Sequence, residues 1–126
     1  MAKLHCKTKV ILSGENDFFG PGIFYLLKCI DETGSIQKAA AKMEMSYSKC
    51  CKLINKAERE TGFPFLNRCN GGKTGGSSTL TEKGRLFIER YDAMIREVEK
   101  SGRELFDVYF SEFQSNTPQQ ATGQQA

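Results

Sequence analysis

A chain of 126 residues, 39% hydrophobic and 26% charged, has the size of one domain and the composition of an ordinary globular protein, which excludes a disordered or membrane-embedded chain. No apolar run reaches membrane-spanning length, and Met1 to Lys7 hold no stretch of signal-peptide length, so a cytoplasmic location is expected. The net charge of +3 is too mild to identify a nucleic-acid partner by itself, so that case rests on where the cations fall.

From Lys3 to Leu12, polar Lys3, His5, Lys7 and Lys9 alternate with Leu4, Cys6, Val10 and Leu12, a period of two that predicts a half-buried strand. Ser13 to Asp17 form a turn-rich break, after which Phe18-Phe19 pair back to complete an N-terminal β-hairpin ending at Gly20-Pro21-Gly22. Pro21 suits a helix start, and Ile23, Phe24, Leu26, Leu27 and Ile30 recur at helical spacing until Gly34 supplies a left-handed cap.

Ser35 then offers its hydroxyl to the free amides of a short helix, Ile36 to about Met43, whose Ala39-Ala40-Ala41 run permits close helix approach. Glu44-Met45 leave room only for a sharp bend. Ser46 is a second N-cap, for a helix that runs to Glu60 or Thr61, where Gly62 stops it and Pro64 forbids its resumption. Two short helices joined by so tight a turn have the layout of a helix-turn-helix. At 100° per residue Cys50, Leu53, Ile54 and Ala57 share one side of the second helix, while Ser48, Lys52, Asn55 and Arg59 take the other, flanked by Lys49, Cys51 and Lys56. A merely solvated helix face is the bland alternative.

Phe63 to Leu66 and Thr79-Leu80 bracket Asn67 to Ser78, which carries Arg68 and Lys73 among four glycines and predicts short strands with a basic tip, a wing. Gly72-Lys73-Thr74 looks like the end of a phosphate-binding loop, but Asn67 stands where that motif needs glycine and no helix can start at Gly75-Gly76, so nucleotide binding is rejected. Thr81 caps a long helix, Glu82 to about Phe113, in which Phe87, Tyr91, Met94, Val98, Leu105 and Val108 follow heptad spacing with an expected bend or break at Ser101-Gly102. Either this stripe folds back on its own domain or it pairs two subunits; dimerisation is favoured, because three preceding helices offer limited apolar surface. From Gln114 onward the chain is polar and expected to be disordered. The expected division is residues 1–80 as the winged helix-turn-helix, 81–113 as the dimerisation helix and 114–126 as the tail.

Five cysteines are an odd number without metal-site or redox spacing, so they read as free thiols, and neither metal nor cofactor is expected. His5 is the sole histidine and no local grouping of nucleophile, base and orienting acid appears, so an enzyme is not expected.

The segments Phe19-Gly20-Pro21-Gly22, Ile30 to Ile36, Ala39-Ala40, Met45 to Lys49, Leu53-Ile54, Gly71-Gly72-Lys73 with Gly75-Gly76, and Leu80 to Gly84 together resemble the N-terminal DNA-binding domain of ModE-type molybdate-responsive regulators and, more distantly, LysR-type regulators. The resemblance covers about residues 3–113. It implies a mainly α fold with small β elements, a winged helix-turn-helix in which the helix opening at Met45-Ser46-Tyr47 enters the major groove and a long helix pairs two subunits. Full-length members continue into molybdate-binding domains; this chain ends where those would begin, so no oxyanion effector is expected on it. Cys51 stands where the family commonly has a bulky aromatic residue, so the operator sequence does not carry over.

The expectation is therefore a homodimeric transcriptional regulator on double-stranded DNA, reading a palindromic operator with helix 46–61 and laying wing 67–78 on the backbone. Lys49, Lys52, Lys56, Arg59, Arg68 and Lys73 suit phosphates, whereas Ser46, Tyr47, Ser48, Cys51, Lys52 and Asn55 open or line the face turned to base edges. The alternatives are a winged-helix protein-interaction module, and a thiol- or metal-responsive regulator using Cys50 with Cys51 or His5 with Cys6.

Overall fold

The computed structural model describes residues 3–69 and 77–114, which fall into two units: Lys9–Asp92, and the stretch up to Thr8 together with the chain from Ala93 onward. In the first unit β1 (Leu12–Ser13) pairs antiparallel with β2 (Asp17–Phe19), Leu12 opposite Phe19, and the Ser13 hydroxyl donates to Asp17 at 2.9 Å across the turn. The strand expected from Lys3 to Leu12 is thus much shorter. Residues 3–11 run without turn or bend but join no ladder, because alternation records which side each residue takes, while a ladder needs a neighbour, and the three residues of β2 are already matched to Leu12 and Ser13.

Helix α1 (Pro21–Thr33) opens on proline and closes at Gly34, whose φ of 75° lets its amide donate back to Ile30 at 2.7 Å. Helix α2 (Ile36–Lys42) starts where the Ser35 hydroxyl accepts the Lys38 amide, and buries Ala39 and Ala40, small enough for α1 to pass close by. The corner that follows is made by Met45 donating to Ala40 O at 2.9 Å, with Glu44 in the left-handed region at φ 58°. Helix α3 (Tyr47–Thr61) is capped by Ser46 and stopped by Gly62 at φ 84°. Its C-terminal half is tied to the body: Glu58 accepts from the Phe65 amide at 2.8 Å, and Glu60 from the Glu15 amide and the Asn16 side chain at 2.9 and 3.0 Å.

Strands β3 (Leu66–Cys69) and β4 (Ser77–Leu80) pair antiparallel from Leu66 opposite Leu80 to Cys69 opposite Ser77. The wing joins the last helix, α4 (Glu82–Gln114), through a tight knot. Thr81 accepts the Gly84 amide at 2.9 Å and donates its hydroxyl to Pro64 O at 2.8 Å, while its own amide donates to Phe65 O at 2.9 Å. A Cβ on Gly84 would stand 2.7 Å from that same Phe65 oxygen, so only glycine lets the first turn of α4 lie this close to the root of the wing. The centre of the unit is aromatic: the Phe19 ring lies 4.9 Å from both Phe87 and Tyr91, Phe65 lies 5.2 Å from Phe87, and the Tyr91 hydroxyl donates to Val10 O at 2.8 Å. Edge-to-face contacts of this kind add to the gain from burying the rings.

In the second unit α4 continues unbroken through Ser101-Gly102, against the expected bend; its one non-helical residue is Phe110, at φ −128° and ψ 18°. Gly102 serves contact instead of bending. A Cβ there would meet Thr8 Cγ2 at 3.0 Å and Cys6 Sγ at 3.3 Å, so the absent side chain is what lets the N-terminal stretch lie against the helix.

Candidate nucleic-acid interface

The two sides of α3 are sorted by a single choice, made by the caps and the apolar rows on either side of it. Cys50, Ile54 and Ala57 are fully buried and Leu53 half-buried, so the helix can lie on the core only one way round. Tyr47, Ser48, Lys49, Lys52, Asn55 and Arg59 are then exposed, with Cys51 and Lys56 partly covered at the edges. Ser46 is exposed too, but its side-chain oxygen already accepts the Lys49 amide at 3.0 Å. Tyr47, Ser48, Cys51, Lys52 and Asn55 therefore share one surface at i, i+4 spacing in the N-terminal two-thirds of the helix, the part left clear by the Glu58 and Glu60 ties.

The electrostatics of this surface are local. A hydrogen bond with Cys51 one turn on pushes the Tyr47 phenol above its ordinary value, opposed by the positive charge of Arg68 on β3, which stands exposed at the base of the wing. Burial pushes the Cys50 thiol up, as befits a small packed hydrophobe. Among the described residues no three metal-binding side chains are grouped to hold an ion. Lys73, expected at the wing tip, lies outside the described residues.

Sequence reasoning passed over Gln37 and Lys38. Both are exposed in the first turn of α2, two and three residues after the Ser35 cap, and in helix-turn-helix proteins generally the first helix crosses the DNA backbone.

The six residues given to a dimer seam separate into two groups. Phe87 lies within the aromatic centre and Tyr91 is only 3% exposed, packed on Phe19 and Phe24, so both serve their own subunit. Heptad spacing marks an apolar stripe without saying whose core it joins. Met94, Leu105 and Val108 are exposed and Val98 half-buried, and beside them stand Tyr109, Phe110 and Phe113, also exposed and not predicted. No helix among the described residues is long and apolar enough to cross a membrane.

Residues 24–85 match the family model described as bacterial regulatory helix-turn-helix protein, lysR family. The transcriptional regulator ModE of Haemophilus influenzae is 33% identical over 79 residues, 63% of this chain and 31% of that protein. The DNA-binding transcriptional dual regulator ModE of Escherichia coli K12 is 33% identical over 91 residues, 72% of this chain and 33% of its own. This chain thus spans about a third of the length of these curated relatives. A crystal structure of a LysR family transcriptional regulator superposes with a TM-score of 0.53 at 20% identity, covering 75% of this chain and 30% of that one, a likeness of fold.

Proposed function

We infer that this chain, whose residues 24–85 are a LysR-type helix-turn-helix domain homologous to that of ModE regulators, is a DNA-binding transcriptional regulator. The observation that carries this reading is the outward face of α3: Ser48, Lys52 and Asn55 are exposed together while Cys50, Ile54 and Ala57 hold the helix to the core. A helix seated so can enter a major groove with its N-terminal half leading.

Lys49, Lys52, Lys56, Arg59, Arg68 and Lys73 take phosphates, which supply affinity and register; Tyr47, Ser48, Cys51, Lys52 and Asn55 take base edges, with Ser46 at the entry. Asn55 can bond adenine twice and Lys52 can donate to guanine. Two subunits, joined along the exposed part of α4, would present two such helices about 34 Å apart to the halves of a palindrome. Residues 1–80, 81–113 and 114–126 then act as reader, dimerisation helix and tail.

Selection of bound fragments from random duplex DNA tests the reading. An enriched inverted repeat with half-sites one helical turn apart is the expected result. Failure to retain any duplex at low salt would return the fold to a protein-interaction role.

A further inference from the structure

We infer that the N-terminal arm, residues 3–8, belongs to the contact between two copies of this chain, resting on its own α4 through Cys6 and Thr8 and offering Lys3 and Lys7 to the acidic end of the partner's α4. The inference rests on the dimer reading above and adds to it a site of charge recognition.

The arm has two different sides. Cys6 and Thr8 are half-buried and lie against Gly102, whereas Lys3, Leu4, His5 and Lys7 are exposed. The arm contains no acid. The end of α4 is its complement: residues 104–114 include Glu104, Asp107 and Glu112 and neither lysine nor arginine. Glu104 stands one turn before Val108 on one ridge of the helix, beside Tyr109, and Glu112 follows beyond the kink at Phe110; Val108 and Tyr109 are 71% and 70% exposed.

The spacings agree. Four residues of extended chain separate Lys3 from Lys7 by about 13 Å, and eight residues of an uninterrupted helix would separate Glu104 from Glu112 by about 12 Å. The kink at Phe110 falls between the two glutamates, and a flexible four-carbon lysine stem can follow the change of direction there. Because Cys6 and Thr8 already meet the arm's own helix, Lys7 between them faces away from it and is open to a second one. The in-chain partner of Glu104, Lys100, stands at 4.0 Å with both groups exposed, a weak pairing that another lysine can displace. Lysines also guard unpaired strand edges against aggregation; the match in spacing and sign with an exposed apolar ridge goes beyond that need.

A charge exchange on the full chain tests the inference. Lys3→Glu with Lys7→Glu makes both arm and helix end acidic, and Glu104→Lys with Glu112→Lys makes both basic. Each double variant alone is expected to dimerise at least tenfold more weakly than the parent at low salt, by sedimentation equilibrium, with its circular-dichroism melt confirming the fold. Mixed, the two should form heterodimers of near-parental strength by native mass spectrometry and sedimentation, since both crossed contacts become complementary, and salt should shrink the difference. Either double variant dimerising as the parent does, or a mixture no stronger than its components, overturns the arm contact while leaving the dimer. Rescue only when all four changes sit in one chain assigns the pairing to a single subunit and overturns it as well. A monomeric parent removes the dimer reading and the arm contact together.

Discussion

The guanidinium of Arg85 grips the Asp31 carboxylate through two hydrogen bonds of 2.8 and 3.0 Å, tying the first turns of α4 to the last turn of α1. The bond from Arg85 holds the Asp31 carboxyl below its ordinary value of 3.8, with partial burial working against it and the Arg85 charge adding to it. A carboxyl lowered on folding contributes stability above the unfolded value, and loses it as pH falls through the folded one. Asp31→Asn should therefore lower stability at neutral pH by no more than about 1 kcal/mol, since the pair is well exposed. The difference from the parent should close below pH 3.8, as urea melts at a series of pH values will show.

Gly84→Ala inverts the usual expectation. In an open helix the change stabilises by roughly 1 kcal/mol, yet here the new Cβ would sit 2.7 Å from the Phe65 carbonyl, a backbone atom that cannot swing aside. Overpacking of this kind costs about 1–3 kcal/mol, so the thermal midpoint should fall by several degrees. A midpoint that rose would mean that the wing root and α4 are not in contact.

On DNA, Asn55→Ala should relax sequence preference by about 1–3 kcal/mol at one position of each half-site while leaving non-specific affinity nearly intact. Lys73→Ala should do the reverse, lowering the slope of log affinity against log salt by about 0.9 with little change in preference. Titrations of preferred and scrambled duplexes at several salt concentrations separate the two. An unchanged slope for Lys73→Ala argues against a wing that touches DNA.

Along α4, Leu105→Asp and Tyr91→Phe should fail in different assays. The first places a charge on the exposed apolar stripe and, on the dimer proposed above, is expected to yield monomers in sedimentation without loss of helix content. The second removes the 2.8 Å hydrogen bond to Val10 and should cost about 0.5–1.5 kcal/mol of stability with dimerisation unchanged.

The difference between those two residues marks where sequence was readable. Caps and corners could be assigned residue by residue because their chemistry is local: Pro21, Gly34, Ser35, Ser46 and Gly62 each stand at the helix end their backbone or side-chain chemistry predicts. The outward face of α3 was readable for the same reason, since helical period and polarity agree along it. Tyr91 was misread because an apolar heptad looks identical whether it meets its own domain or another, and only the rings of Phe19 and Phe24, more than sixty positions away, decide between them. The strand expected over Lys3 to Leu12 failed similarly, for want of a neighbour that alternation cannot reveal. Gly102 was taken for a flaw in a helix, when its use lies in what passes over it.

The knot of Pro64, Phe65, Thr81 and Gly84 gives the molecule a stiff joint. Because the Gly84 backbone lies on the Phe65 carbonyl and the Thr81 hydroxyl ties both to Pro64, the first turn of α4 cannot tilt or slide without dragging the strand that begins at Leu66. Any torque on the first turn of α4 is thereby passed directly to the root of the hairpin.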